Sequence, residues 1–365
     1  MTDAMDWDAA ARRAASVTKA GPPIDRHGLL ELVSSLRQAA ADAPAYVAEV
    51  TGLHEAAHIA ADGPALVVDR ARWASAATET FRAMTDGALP ESRMPGAARL
   101  AGEQLGLVLA LLAGRILGQF DPYVSDEPGR GRLLLVAPNI LTVQRQLDAD
   151  PQDFHLWVSL HEQTHAVQFA AAPWLAEHLS GALRSVIEAQ SEQESDAGLL
   201  GLFKRIRGSQ SEGDDGEPRG ESDDDGGASD EADGDPAAIP GFLDAVLAPA
   251  QREQLSAAIA TMSLLEGHAD VVMDEAGPRA VPSVKKIRTA FEARRDERTL
   301  TNLVIRRLLG MDAKLLQYRN GAVFVRGVRE KVGHAGLNAV WQGPEFLPSA
   351  AEIADPDAWV ARVHG

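Results

Sequence analysis

The chain has no cysteine in 365 residues. That excludes disulfides, thiolate zinc sites and cysteine nucleophiles, and leaves His, Asp and Glu as the strong metal ligands. Positive charge is also scarce: 35 Lys and Arg stand against 53 Asp and Glu, a net charge of −18. Phosphate contacts need clustered Lys and Arg, so no nucleic-acid partner is expected. Long hydrophobic runs are missing as well. The most apolar one, Leu105 to Gly114, is ten residues between Glu103 and Arg115, too short to span a bilayer, so no membrane partner is expected. The N-terminus, Met1-Thr2-Asp3-Ala4-Met5-Asp6, lacks the basic-then-apolar order of a signal peptide. These absences predict a soluble cytoplasmic protein. No internal repeat, phosphate-binding Gly loop or Gly-x-Ser-x-Gly elbow is present.

The negative charge is unevenly spread. Between Ser209 and Pro236 there are twelve acidic residues and one basic residue, Arg219, so this stretch carries −11 and the rest of the chain only −7. Rich in Gly, Ser, Asp and Glu, it cannot repay the entropy of ordering and reads as a disordered, solvated insertion. It divides the chain into an N-terminal helical part (1–207), the acidic insertion (208–238) and a C-terminal helical part (239–365). The two helical parts are expected to pack as one unit, since the length allows a substantial shared core.

What is present is His161-Glu162-Gln163-Thr164-His165, within an apolar run from Trp157 to Phe169 that no Gly or Pro interrupts. His-Glu-x-x-His on a helix is the zinc-metallopeptidase pattern. Two histidines four residues apart project from one face, about 40° and about 6 Å apart, so both imidazoles can share one tetrahedral ion. Glu162 follows the first ligand by roughly 100° of helix. It stands beside the metal, where a carboxylate can take a proton from bound water, and zinc lowers the pKa of that water to about 7.

Alanine-rich helical patterns dominate the chain. Helices are expected over 6–19, 27–42, 70–85 and 94–120, the last as one long central helix. Short strands are expected at 65–69 and 132–136, with Asn139 capping the helix that follows. Asp150-Pro151-Gln152-Asp153 opens the His161 helix, acidic groups lying at the positive end of its dipole, and Pro173 ends it. Further helices are expected from Trp174 towards Arg207, over 249–274, 282–295 and 299–309, and over 312–331 with a break near Gly321. The end, from Gly343 to Trp359, is turn-rich.

Two histidines leave a zinc ion incomplete, so a third protein ligand is needed. The best candidate is Glu266, in Leu264-Leu265-Glu266-Gly267-His268-Ala269-Asp270. Glu266 and Asp270 share a helical face, whereas His268 points to roughly the opposite side. Glu266 as ligand, with Asp270 receiving the free ring N–H of a zinc histidine, supplies the ligand and its support from one turn. A buried salt-bridge pair without metal is the plainer alternative, and His268 is the alternative third ligand.

These motifs carry a resemblance. His161–Val167 with Glu266-x-x-x-Asp270 looks like the gluzincin arrangement of thermolysin-type peptidases, although the separation of about a hundred residues between the two parts exceeds the thermolysin spacing. More closely, the chain resembles the actinobacterial zincin-like metallopeptidase type 2 family. The matching residues are Val67-Val68-Asp69-Arg70 with Trp73, Val136-Ala137-Pro138-Asn139, Asp153 through Glu162, Pro173-Trp174-Leu175, Glu266 through Asp270, Gln317-Tyr318 with Gly321, and Leu347-Pro348. The resemblance implies a mainly α, zincin-like helical metallopeptidase fold with a few short strands. Some members of that family are described as hydrolases, and others are linked by gene context to biosynthesis of a deazaflavin coenzyme.

A second His-Glu-x-x-His, His54-Glu55-Ala56-Ala57-His58, sits in a short segment without a Glu-x-x-x-Asp partner nearby and reads as surface histidines. Tyr318, Arg319 and His334 are candidates to steady an oxyanion, Tyr318 first among them. Gln163 faces away from His161 and reads as structural, and His155 and His178 read as ordinary surface residues. The expected protein binds one Zn²⁺ through His161, His165 and Glu266. Glu162 activates water against a peptide or other amide carbonyl. The rival is a non-catalytic zinc-stabilised scaffold, in which His268 joins the other three ligands and closes the site. A metal-free helical protein is the third option.

Overall fold

The computed structural model describes residues 4–90, 94–192, 249–297 and 321–365. Helices dominate, around one small sheet. The N-terminal part runs α1 (Trp7–Val17), α2 (Arg26–Thr51), α3 (His54–Ala61), β1 (Ala65–Val68), α4 (Arg70–Met84) and α5 (Ala97–Ala113). Then come β2 (Gly118–Asp121), β3 (Arg132–Val136), α6 (Ala137–Gln146), α7 (Pro151–Ala171) and α8 (Leu175–Glu192). The C-terminal part holds α9 (Pro249–Ala280), α10 (Val284–Glu297), α11 (Gly321–Leu337), α12 (Ala350–Ala354) and α13 (Pro356–His364). The acidic stretch at 208–238, the helix expected at 299–309 and Tyr318 with Arg319 lie outside the described residues. Among the described residues no helix is long and apolar enough to cross a membrane.

Sheet order is β1-β3-β2, with β1 parallel and β2 antiparallel to the fully buried β3. Alternation along β3 divides the core. Leu133 and Leu135 join the cluster that includes Leu160 and Val167 of α7, while Leu134 and Val136 pack with Ala10, Trp73 and Leu109 of α1, α4 and α5. Gly118 and Phe120 of β2 pair with Leu135 and Leu133 and so face α7, where the Phe120 and Phe169 rings lie 5.6 Å apart. Val272, Met273 and Ala276 of α9 belong to the same buried cluster as Leu160. The helix that carries Glu266 is thereby held against the helix that carries the two histidines.

Several elements differ from their sequence reading. The long helix expected over 94–120 stops at Ala113, and 118–121 form β2. The apolar spacing carries on past Gly114, but pairing with β3 takes the last residues into the sheet. Asn139 does not cap α6, because the N-cap position is Val136. Its buried amide donates to the carbonyls of Ala113 and Ile116 and accepts from Arg70 Nε at 2.6 Å, closing the turn between α5 and β2. Helix α2 continues through Pro44 to Thr51, and α9 runs past Asp274 to Ala280 across a kink at Gly277. The turn-rich end contains α12 and α13, the first closed by a Ser349–Glu352 capping box. His155 is 3% exposed and bonded to Ser35, so it is no surface residue.

Candidate metal centre

Helix α7 starts where the sequence places it. The Asp150 carboxylate accepts from the Asp153 amide at 3.0 Å, and Pro151 takes the first helical position, where its missing N–H costs nothing. The helix is buried on most sides, by β2, α2, α3 and α9, and this environment fixes the direction of each side chain.

On one face of α7 the imidazoles of His161 and His165 stand edge to face, with ring centroids 4.7 Å apart and Nε2 atoms 3.2 Å apart. Glu266 enters from α9, with one oxygen 3.6 Å from His161 Nε2 and the other 3.6 Å from His165 Nε2. These three residues form the one group of three or more potential metal ligands among the described residues, with one ligand atom from each lying within 4.8 Å of the others. The donor set suits a zinc ion. Tetrahedral bonds of about 2.0–2.1 Å put neighbouring ligand atoms about 3.3 Å apart, close to the 3.2 Å between the two imidazole nitrogens and the 3.6 Å from each of them to its nearer Glu266 oxygen. The Glu266 side chain is 55% exposed, against 26% and 14% for His161 and His165, so the cluster opens to solvent on the Glu266 side.

The sequence profile of the zincin-like metallopeptidases matches residues 5–360. The chain belongs to that family. A crystal structure from Chloroflexus aurantiacus, described as a "putative hydrolase with a novel fold", superposes with a TM-score of 0.62 at 27% identity, over 98% of each chain. No curated protein matches the chain.

In this zincin-like protein Glu162 is 7% exposed and lies under β2, close enough that a Cβ on Gly118 would fall 2.6 Å from its Cγ. Glycine at 118 thus lets β2, an edge strand, pass directly over the carboxylate. Burial, with the Glu266 charge adding to it, pushes the Glu162 carboxyl up to about 8. A cation held by His161, His165 and Glu266 would oppose both causes and favour the carboxylate form.

The support of His165 is one that sequence reasoning missed. Its Nδ1 meets Gln168 Oε1 at 2.9 Å, while Gln168 Nε2 lies 2.9 Å from the Leu265 carbonyl and 3.0 Å from His268 Nδ1. The signal was legible as spacing, because Gln168 follows His165 by three residues and must project from the same side of α7. Asp270, expected to receive a histidine N–H, is not the acceptor for His165. It lies 3.8 Å from Arg288, whose guanidinium also donates to its carbonyl. His268 is fully buried, with its ring edge-on to Trp341, and stands outside the ligand cluster. His334 bonds Glu275 at 2.8 Å and is also outside it. The second motif lies on α3, where His54, Glu55 and His58 are all exposed.

Proposed function

We propose that this protein is a zinc-dependent hydrolase that cleaves a peptide or other amide bond. The observation that carries the reading is the convergence of His161 Nε2, His165 Nε2 and a Glu266 oxygen beside the buried carboxylate of Glu162. A catalytic zinc site keeps a coordination position open, whereas a structural one is closed by a fourth protein ligand. The exposure of Glu266 supports an open site, and so does His268, which is bonded to Gln168 instead of joining the cluster.

Zinc at these three ligands would polarise the substrate carbonyl and acidify water beside it. Glu162 takes a proton from the attacking water as its oxygen bonds to the carbonyl carbon. It then delivers that proton to the leaving nitrogen as the C–N bond breaks, so one water is consumed and an acid and an amine result. Gly118 keeps the β2 backbone close above Glu162, and β2 is one of the two edge strands of the described sheet. That position supports an extended peptide as substrate. Tyr318 is proposed to steady the oxyanion. The support is that Gly321, three residues later, rests on Gly267, the neighbour of Glu266.

Metal analysis of the wild type beside His161→Ala and Glu266→Ala tests the ligands. One zinc per wild-type chain and clear loss in both variants are expected. Glu162→Gln should keep the zinc and lower hydrolysis of a mixed peptide substrate by about 10²–10⁴-fold. Unchanged turnover in that variant removes Glu162 as the base.

A further inference from the structure

We propose that Gln168 is the positioning residue of the metal centre, and that its one buried amide sets opposite tautomers on His165 and His268. The consequence for metal binding rests on the hydrolase reading above, while the tautomers can be tested without it.

The reasoning starts from the Leu265 carbonyl, which can only accept. The Gln168 atom 2.9 Å from it must therefore be the amide nitrogen, and the atom 2.9 Å from His165 Nδ1 is the amide oxygen. An amide oxygen cannot donate, so the proton of that bond sits on His165 Nδ1. In a neutral ring this leaves the lone pair on Nε2, the atom 3.2 Å from His161 Nε2 and 3.6 Å from Glu266. His165 thus presents a ligand lone pair to the cluster before any ion arrives.

The second amide hydrogen points to His268 Nδ1 at 3.0 Å, which must accept and so carries no proton. The His268 proton is therefore on Nε2, an atom buried without a hydrogen-bond partner among the described residues. Gln168 and His268 are both fully buried, so water does not compete for these bonds. Leu265 and His268 also flank Glu266 in sequence. The same amide therefore holds α9 in register with α7 at the level of the third ligand.

The experiment uses the full-length chain, metal-free and ¹⁵N-labelled, at about pH 8. Two-bond ¹H–¹⁵N spectra report which ring nitrogen of each histidine carries the proton. The wild type should show His165 protonated on Nδ1 and His268 on Nε2. Gln168→Met removes both polar ends at similar volume. His165 should then move its proton to Nε2, and zinc affinity, read by chelator competition, should fall about 10–100-fold. Gln168→Glu retains an acceptor for His165 but cannot donate, so His165 should keep its tautomer while His268 switches to Nδ1–H.

A wild-type His165 protonated on Nε2 overturns the proposal outright, even if neither variant folds. So does a folded Gln168→Met protein with unchanged tautomers and unchanged zinc affinity. Predicted tautomers in a wild-type chain that takes up no zinc would leave the amide clamp standing and remove the hydrolase reading instead.

Discussion

The side-chain amide of Gln163 donates to the backbone carbonyl of Ala40 at 2.9 Å, inside the core. Pro44 explains why that carbonyl is available, since a proline four residues on has no N–H to offer it. Helix α2 therefore runs on through Pro44 because α7 supplies the missing donor. Gln163→Leu should destabilise the fold by about 1 kcal/mol, near the low end for an orphaned buried carbonyl, because Gln163 Oε1 has no partner of its own among the described residues. In a Pro44→Ala background the backbone N–H returns, so the same substitution should cost less. A double-mutant cycle from urea unfolding measures this coupling, and simple additivity would refute the link.

Gly267, the residue after the carboxylate ligand, is where α9 and α11 cross. A Cβ there would lie 2.0 Å from the Gly321 carbonyl carbon, so the two backbones meet at glycine on both sides. Gly267→Ala should therefore force α11 away and cost about 1–3 kcal/mol, as overpacking does. Glu266 is moved by the same shift, so zinc affinity should fall with stability. Thermal unfolding with and without added zinc separates the effects. A variant as stable as wild type and equally stabilised by zinc would show that the crossing tolerates a methyl group.

The two His-Glu-x-x-His strings make opposite predictions. Those on α3 point to solvent, whereas His161 and His165 converge with Glu266. Replacing His54 and His58 together by Ala should leave the tightly held zinc unchanged, while His161→Ala should lose it. Equilibrium dialysis against a chelator at increasing strength distinguishes them, since surface histidine pairs release metal first. Retention of the tight zinc by His161→Ala would move the centre elsewhere.

Much of the site was legible because its spacing is helical: residues four apart on an uninterrupted apolar run share a face whatever surrounds them. The two outer strands differ in this respect. Ala65–Val68 has strand composition and stands between clear breaks, but Gly118–Asp121 follows a helix whose apolar period it continues, and only its partner β3 makes it a strand. Asn139 departs from its sequence signal for a similar reason. A cap is a local device, whereas its three bonds go to α5, to the turn after it and to Arg70, all distant in sequence. The role of Gln168 is not legible in sequence beyond its spacing, because an amide signals nothing without the Leu265 carbonyl and His268 opposite it.

The last prediction concerns His155, on the first turns of α7. Its Nδ1 lies 2.7 Å from Ser35 Oγ, and the ring is 3% exposed with no hydrogen-bond partner for Nε2 among the described residues. Burial pushes its pKa down to about 4, against a weaker upward pull from Asp150. Above about pH 6.5 the ring is neutral in folded and unfolded chains alike, and its contribution is complete. As pH falls below that value the unfolded chain takes up a proton that the folded one refuses until about pH 4. Stability is therefore lost across that window, by up to about 3 kcal/mol from this group. Other histidines contribute equally to a variant, so the difference between wild type and His155→Gln isolates the effect. Urea midpoints between about pH 7 and pH 4, taken with chelator present, should fall more steeply for wild type than for the variant. Parallel curves would mean that His155 is protonated in the folded chain as readily as in the unfolded one.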